Sequence, residues 1–134
     1  MPSVTVLYDA DCGLCVWVMG KVLAWDGRRR LRPVALDAPE AEPLVGDLDE
    51  EERMASWHIV LPDGRRESAG RALAPLLRLL PGGRPLAALV ERFPDFADRA
   101  YSALAERRSA LGKLVTAGAR RRARERIARR ASAV

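Results

Sequence analysis

The stretch from Cys15 to Trp25, CVWVMGKVLAW, restricts the fold most strongly, because it is apolar on nearly every side. Its one polar residue is Lys21, and the Asp-Gly pair that follows can stop a helix. A helix that is hydrophobic all round is stable when other parts of the protein cover it. The sequence therefore predicts a helix enclosed by the rest of the chain.

Strands are predicted before and after this helix. Residues 3 to 8, SVTVLY, are β-branched and apolar and stop at the turn DADCG. RLRPVALD (30 to 37) has the composition of a second strand, in which Pro33 indicates the start or an edge position. WHIVLPDGRRES (57 to 68) has the pattern of a β-hairpin with a Pro-Asp-Gly turn. The order of these elements is typical of an α/β domain.

Further helices are predicted in the remaining segments. Residues 38 to 53 are acidic and interrupted by prolines, with Asp47 or Asp49 as the N-cap of one short helix. After the hairpin, Ser68 precedes a helical pattern, and an internal proline moves the expected helix start toward Leu73. Three later helical stretches are RPLAALVERF, PDFADRAYSALAERR and SALGKLVTAGARRRARERIARR, the last expected to be amphipathic only to about Leu114.

Length and charge divide the chain into a body and a tail. A chain of 134 residues is long enough for one domain whose core needs no disulfide or metal. Of the net charge of +5, residues 107 to 134 contribute +9 and residues 1 to 106 contribute −4. We therefore expect a domain over residues 1 to 115 and an Arg-rich tail over residues 116 to 134, either helical or disordered.

The tail is expected to be mainly a solvated end, with weak attraction to nucleic acid or anionic lipid as the alternative. It has no aromatic residue for stacking on bases, and its apolar content is too slight for firm membrane insertion. The chain shows no signal-peptide pattern and no apolar run of 18 residues. These features predict a cytoplasmic protein without a transmembrane segment, and no cofactor is indicated.

Cys12 and Cys15, the only cysteines, lie where the apolar helix is predicted to begin. In the cytoplasm such a pair is more often catalytic or metal-binding than a permanent crosslink. The helix N-terminus stabilises a thiolate at Cys12, which can attack a disulfide, and Cys15, one turn further in, can resolve the mixed disulfide. A structural pair without chemistry is a further alternative.

A metal site is a second alternative for the cysteine pair, because two intervening residues is also a spacing of metal ligands. A closed zinc site needs four ligands, and His58, the one histidine, lies in a predicted strand. Zinc would have to be shared between two chains or completed by Asp9 or Asp11. These aspartates either bond to the backbone of their own turn or accept the proton of Cys15.

In the motif D-x-x-C-x-x-C after an N-terminal strand, here Asp9, Cys12 and Cys15, the sequence resembles the DCC family of predicted thiol-disulfide oxidoreductases. WHIVLPDG, SAGRALAPLLRLLPGG and DRAYSALAERRSALGKL resemble the family as well, so the match covers most of residues 3 to 115. The resemblance implies a thioredoxin-like fold of the glutaredoxin type, with a small mixed sheet and flanking helices. The C-terminal helical extension that we also expect lies outside the resemblance. It also implies that Cys12 is the nucleophile and Cys15 the resolving thiol.

The implied substrate is a disulfide-containing protein or a low-molecular-weight thiol. Thioredoxins place a cis-proline before the third strand, but RMASWHIV has no proline, so Met54, Ala55, Ser56 or Trp57 must take that place. The residues predicted to contact substrate are Asp11, Trp17, Trp57 and Arg71. For the tryptophans the alternative is core packing, and for the anion site at Arg71 it is plain capping by Ser68. A metal-binding or non-catalytic interaction module with a basic tail is the alternative function.

Overall fold

The computed structural model describes residues 4–132. The strands within this range are β1 (Val4–Tyr8), β2 (Leu31–Ala35), β3 (His58–Val60) and β4 (Arg66–Ser68). The helices are α1 (Gly13–Trp25), α2 (Glu42–Val45), α3 (Glu50–Ala55), α4 (Leu73–Leu79), α5 (Arg84–Arg92), α6 (Pro94–Glu106), α7 (Arg108–Gly112) and α8 (Ala117–Ser132). Single 3₁₀ turns lie at Pro39–Ala41 and Ala69–Ala72.

The four strands form one mixed sheet in the order β2-β1-β3-β4. β1 is parallel to β2 and antiparallel to β3, which is antiparallel to β4. Pro33 lies in the edge strand β2, where its missing N–H costs no hydrogen bond on the open side. This order and these directions confirm the predicted thioredoxin-like fold.

The apolar helix α1 is packed into the larger of two core clusters. Val16, Met19 and Leu23 of α1 contact buried residues of the sheet and of α4. A second cluster around Leu7 and Val34 lies with the segment that contains α2. The enclosure of α1 is not complete, because Val18 is 37% exposed and Trp25 is 39% exposed.

The local helix predictions are confirmed at two positions and wrong at a third. Asp49 caps α3, since its carboxylate accepts a hydrogen bond from the Glu52 N–H at 2.7 Å. α4 begins at Leu73. Ser68 makes no side-chain capping bond, because its hydroxyl lies 2.6 Å from Nδ1 of His58 on the neighbouring strand.

The Arg-rich segment forms helix α8, and a helix was one of the two predicted alternatives. The expectation that the segment is mainly solvated is wrong for the face of α8 that packs against α1. Helix α8 packs along α1, and Ala123 and Ile127 are each only 7% exposed. At the crossing, a Cβ built on Gly20 would lie 2.7 Å from the Cβ of Ala123. Two small residues allow this close approach, which gives one stripe of an otherwise charged helix a place in the core. The boundary placed at residue 115 stays a prediction.

A buried ion pair joins the far end of α8 to the C-terminal end of α1. Nη1 of Arg130 donates to the Asp26 carboxylate at 2.6 Å, and the Asp26 side chain is 0% exposed. The same carboxylate accepts from the N–H groups of Arg30 and Leu31, while Arg130 also donates to three backbone carbonyls, including that of Leu23. Because every polar group has partners, the chain avoids the large cost of an uncompensated buried charge.

Candidate functional site

Both cysteines lie at the N-terminal end of α1, immediately after β1 and its turn. Cys12 is the N-cap residue, with extended backbone angles of φ −95° and ψ 113°. Its Sγ accepts a hydrogen bond from the Cys15 backbone N–H at 3.2 Å. Free N–H groups and the helix dipole at this end both favour a negative charge on the capping atom. The fold thus places the Cys12 sulfur at the positive end of the α1 dipole.

Asp9 organises the turn between β1 and α1. Its Oδ1 accepts from the Asp11 N–H at 2.9 Å, which is the predicted Asx turn, and its carbonyl accepts from the Cys12 N–H at 3.3 Å. Its Oδ2 lies 3.8 Å from Nη1 of Arg108. The Asp9 side chain is 12% exposed, whereas Asp11 is on the surface and contributes only its backbone N–H here.

A pocket of about 200 Å³ lies beside Cys15 and exposes part of its side chain to the outside. Its polar boundary includes Cys15, Asp9 and Arg108. Most of the wall is apolar and comes from α1, α4 and α6. The aliphatic residues of this wall are Leu14, Val18, Met19, Leu73, Leu104 and Ala105.

An aromatic pair, Trp57 and Tyr101, forms the side of the pocket next to the start of β3. The rings of Trp57 and Tyr101 are stacked, with centroids 6.2 Å apart and planes inclined by 13°. The Trp57 backbone N–H donates to the Tyr101 hydroxyl at 3.1 Å, and the Trp57 indole N–H donates to the Ala69 carbonyl at 3.0 Å. Trp57 therefore borders the pocket and is held in place from two directions.

Ser56 and Trp57 directly precede β3, where the resemblance to thioredoxins would place a cis-proline. Both residues line the pocket. Within residues 4–132 no peptide bond is cis. Met54 lies on the other side of the sheet, against the second core cluster.

The charges around Cys15 act in opposite directions on its thiol. The pKa of Cys15 is raised from 9.0 to about 12, first by burial, then by the hydrogen bond with Cys12 and the charge of Cys12. The positive charge of Arg108 lowers the pKa of Cys15, and the carboxylate of Asp9 raises it. Cys15 is therefore held as a protonated thiol near neutral pH, because burial and the charges of Cys12 and Asp9 outweigh the charge of Arg108.

No sequence motif predicts Tyr101, Leu104 or Arg108 as residues of the site. The signal for them is their spacing, because residues 101, 104, 105 and 108 follow the i, i+3, i+4, i+7 pattern of one helix face. That pattern shows which residues share a face. It does not show that the face lies against a dithiol almost 90 residues earlier in the chain.

Three of the four predicted substrate-binding residues, Asp11, Trp17 and Arg71, lie outside the wall of this pocket. Trp17 is half-buried, with Nζ of Lys21 5.6 Å from its ring centroid. Arg71 is exposed in the 3₁₀ turn before α4. Arg65, the other cation considered, pairs with Asp63 at the hairpin turn. Roles in binding substrate stay predictions for all four residues, including Trp57, which does line the pocket.

No group of three or more His, Cys, Asp and Glu side chains in the described part of the chain is arranged to hold a metal ion. Nδ1 of His58 lies 2.6 Å from the Ser68 hydroxyl and Nε2 lies 3.0 Å from the Arg53 carbonyl. Since a carbonyl only accepts, Nε2 carries the proton and Nδ1 accepts from Ser68. Burial lowers the pKa of His58, so the ring is a neutral part of the sheet packing.

Residues 6–114 match the family model described as DCC1-like thiol-disulfide oxidoreductase. The chain belongs to the DCC1-like thiol-disulfide oxidoreductase family. This confirms the resemblance drawn from the D-x-x-C-x-x-C motif, and with it the prediction of an oxidoreductase. The matched range contains the last three residues of β1 and every element from α1 to α7, whereas α8 lies beyond it.

No curated protein and no solved structure matches the chain. No helix in the described range combines the length and apolar character needed to cross a membrane. As a member of the DCC1-like family, the chain has thiol-disulfide chemistry as its reaction class.

Proposed function

We propose that this protein exchanges electrons with substrate disulfides through Cys12 as the nucleophile and Cys15 as the resolving thiol. The observation that carries the proposal is the geometry of the pair. The Cys12 sulfur caps α1 and accepts the Cys15 N–H at 3.2 Å, while Cys15 lies behind it with its pKa raised to about 12. One sulfur is thus placed for attack and the other for delayed release.

In the proposed reaction the Cys12 thiolate attacks one sulfur of the substrate disulfide. The Cys12–substrate S–S bond forms as the substrate S–S bond breaks, and the first substrate sulfur leaves as a thiolate. Cys15 then loses its proton and attacks Cys12, which releases the second substrate sulfur. The substrate gains two electrons and two protons, and the protein ends with a Cys12–Cys15 disulfide. Run backwards, the same steps oxidise a substrate dithiol.

The resolving step is timed by the coupling between the two cysteines. In the reduced protein, the hydrogen bond and charge of Cys12 help to raise the pKa of Cys15. Once Cys12 is in a mixed disulfide, its charge is gone and no longer raises the pKa of Cys15. Cys15 therefore becomes easier to deprotonate at the stage when it must attack.

Asp9 is proposed to accept the Cys15 proton, and Arg108 to stabilise the thiolate that remains. Both residues line the same pocket as Cys15, and both charges act on its pKa. Asp9 is fixed by its bond to the Asp11 N–H, so its second oxygen stays directed to the side of Arg108. A held carboxylate of this kind is suited to general base catalysis.

The cysteine roles are tested with bis(2-hydroxyethyl) disulfide, a small neutral substrate, and reduced protein. Wild type is expected to form the Cys12–Cys15 disulfide, and Cys15→Ser to accumulate a mixed disulfide on Cys12, both seen by mass spectrometry. Cys12→Ser is expected to lose the reaction, with Ser109→Ala as the control that keeps it. A mixed disulfide on Cys15 in the Cys12→Ser protein, formed as fast as in wild type, would contradict the assignment.

The role of Asp9 is tested with Asp9→Asn, which keeps an oxygen for the Asp11 N–H and removes the charge. If Asp9 accepts the proton, resolution of the mixed disulfide slows by about 100-fold, the lower range for a lost general base. If the carboxylate acts only through its charge, its removal lowers the pKa of Cys15 and resolution becomes faster. Faster resolution therefore contradicts the proposal.

The proposed setting is the cytoplasm, where cellular reductants keep thiols reduced and a Cys-x-x-Cys pair serves exchange chemistry. We further propose weak attraction of anionic lipid or nucleic acid by the outward face of α8. This face carries exposed arginines, among them Arg121, Arg122, Arg126 and Arg129. Attraction of this kind falls steeply as salt is added.

A further inference from the structure

The wall of the pocket beside Cys15 is predominantly apolar. Leu14, Val18, Leu104 and the Trp57–Tyr101 pair surround a space whose polar lining residues include Asp9, Cys15 and Arg108. Val18 and Leu104 are 37% and 51% exposed. The protein thus leaves large apolar side chains open beside Cys15, one helical turn from the N-cap sulfur of Cys12.

The size of the pocket limits what can fill it. Its volume of about 200 Å³ lies below the roughly 300–1,000 Å³ of sites that enclose a whole drug-sized molecule. A single leucine-like or aromatic side chain is a better match in size than a complete tripeptide. The walls supply apolar contact from α1 on one side and from α6 on the other.

The charge of the pocket argues against an anionic low-molecular-weight disulfide. Arg108 is the cation that lines it, and its Nη1 already faces the Asp9 carboxylate at 3.8 Å. Oxidised glutathione carries several carboxylates, and a carboxylate that enters an apolar space loses hydration without a partner in return. An uncharged apolar group meets no such cost.

We propose that this pocket receives an apolar side chain next to the cysteine of a protein disulfide, so that the substrates are protein disulfides flanked by a leucine-like or aromatic residue. The inference rests on the proposed function of Cys12 and Cys15 and names its substrate class. During attack on Cys12, the neighbouring side chain of the substrate enters beside Cys15. Its burial among Val18, Leu104 and Trp57 then holds the substrate sulfur in line with Cys12.

The test compares four disulfides in single-turnover reactions with the reduced full chain. They are a peptide disulfide with Phe beside the cysteine, the same peptide with Ser, oxidised glutathione, and bis(2-hydroxyethyl) disulfide as the reference. The Phe peptide is expected to react about tenfold or more faster than the Ser peptide, the scale on which an apolar pocket discriminates. Oxidised glutathione is expected to be slower than the Phe peptide.

Leu104→Glu places a charge in the pocket wall at a half-exposed position, and the ratio of Phe-peptide to Ser-peptide rates is expected to fall toward one. Leu114→Glu is the matched control, since Leu114 is 78% exposed and is not part of the wall, and it is expected to keep the wild-type ratio. Because unfolded chain would also react with the two peptides at similar rates, the ratio is measured only on variants whose circular dichroism spectrum matches that of the wild type.

The outcomes separate this inference from the proposed function. A wild-type protein that does not react with the reference disulfide would overturn the proposed function. Reaction with the reference disulfide, but equal rates for the Phe and Ser peptides or the fastest rate with oxidised glutathione, would overturn the pocket assignment alone. An unchanged rate ratio in Leu104→Glu would do the same.

Discussion

Helix α1 has an Asp–Arg pair at each end, and the two pairs differ in nearly every physical respect. At the C-terminal end, Asp26 and Arg130 are 2.6 Å apart, with side chains that are 0% and 13% exposed. At the N-terminal end, Asp9 and Arg108 are 3.8 Å apart, with side chains that are 12% and 32% exposed. The first pair has additional hydrogen bonds to the backbone, whereas the second faces a thiol and an open pocket.

The Asp26–Arg130 pair stabilises the fold, whereas the charges of the Asp9–Arg108 pair act on the pKa of Cys15. A tight, buried pair that is fully hydrogen-bonded leaves no position for a ligand. Removal of one partner strongly destabilises the fold, because the other charge is left buried and unpaired. A looser, partly hydrated pair contributes little to stability, but its charges still act on a neighbouring titratable group. Both arginines follow α6 in the chain, so the C-terminal segments of this protein serve both ends of α1.

The largest expected effect is on stability and comes from Arg130→Ala. This change leaves the Asp26 carboxylate buried without its partner, which costs about 3–5 kcal/mol of the free energy of unfolding. Urea denaturation of the reduced protein measures the loss. Arg129→Ala, on the exposed face of the same helix, is the control and is expected to change stability by less than about 0.5 kcal/mol. Equal losses in the two variants would show that Asp26 is not a buried, paired charge.

A smaller effect is expected midway between the two pairs, where α8 crosses α1. In Gly20→Ala the new Cβ would lie 2.7 Å from that of Ala123, so the helices must separate. Overpacking of this kind costs about 1–3 kcal/mol, of which about 1 is offset by the better helix propensity of alanine. Gly27→Ala meets no atom within 4 Å and is the control. If Gly20→Ala were as stable as Gly27→Ala in urea denaturation, the close contact with α8 would not form.

The smallest effect on stability, but a specific effect on rate, is expected from Arg108→Gln. The exposed pair with Asp9 contributes about 0–1 kcal/mol. The positive charge of Arg108 lowers the pKa of Cys15, so its removal raises that pKa further and reduces the thiolate fraction at a given pH. Resolution of the mixed disulfide is expected to slow by about three- to tenfold at pH 8, with its pH profile moved to higher pH.

The control for this prediction is Arg107→Gln, an exposed arginine next in the chain. It is expected to leave the resolution rate and its pH profile unchanged. A pH profile that moves to lower pH in Arg108→Gln would show that the charge of Arg108 does not lower the pKa of Cys15. A loss of several kcal/mol would place the Asp9–Arg108 pair in the same class as Asp26–Arg130.

Local patterns in the sequence were sufficient for the strands and for the position of the dithiol, whereas the sheet that joins the strands was expected only from the family resemblance. An apolar β-branched run gives β1, an apolar stretch gives α1, and the turn between them places Cys12 at the helix start. The Asx turn at Asp9 is local as well, since it joins residues two positions apart. These features depend on backbone geometry and on neighbours within a few residues.

The outer half of the site and the role of α8 depended on contacts between distant parts of the chain. Helical spacing groups Tyr101, Leu104 and Arg108 on one face, but not the surface against which that face packs. Arg130 looked like one more charge in a basic tail, and only its position 104 residues from Asp26 in sequence and 2.6 Å from it in space gives it a structural role. Charge and composition do not contain such long-range pairings, because they arise when the core closes.

The sequence by itself therefore determined the strand β1, the start of α1 and the position of the two cysteines at that start. Hydrogen bonds and periodicity over a few residues decide these features. The tertiary structure decided that an apolar pocket lies beside Cys15, and that one Asp–Arg pair of α1 is buried while the other lines this pocket. The physical reason is burial. Whether a charge stabilises the fold or adjusts a thiol depends on the water and the partners around it, and only the packed chain sets these.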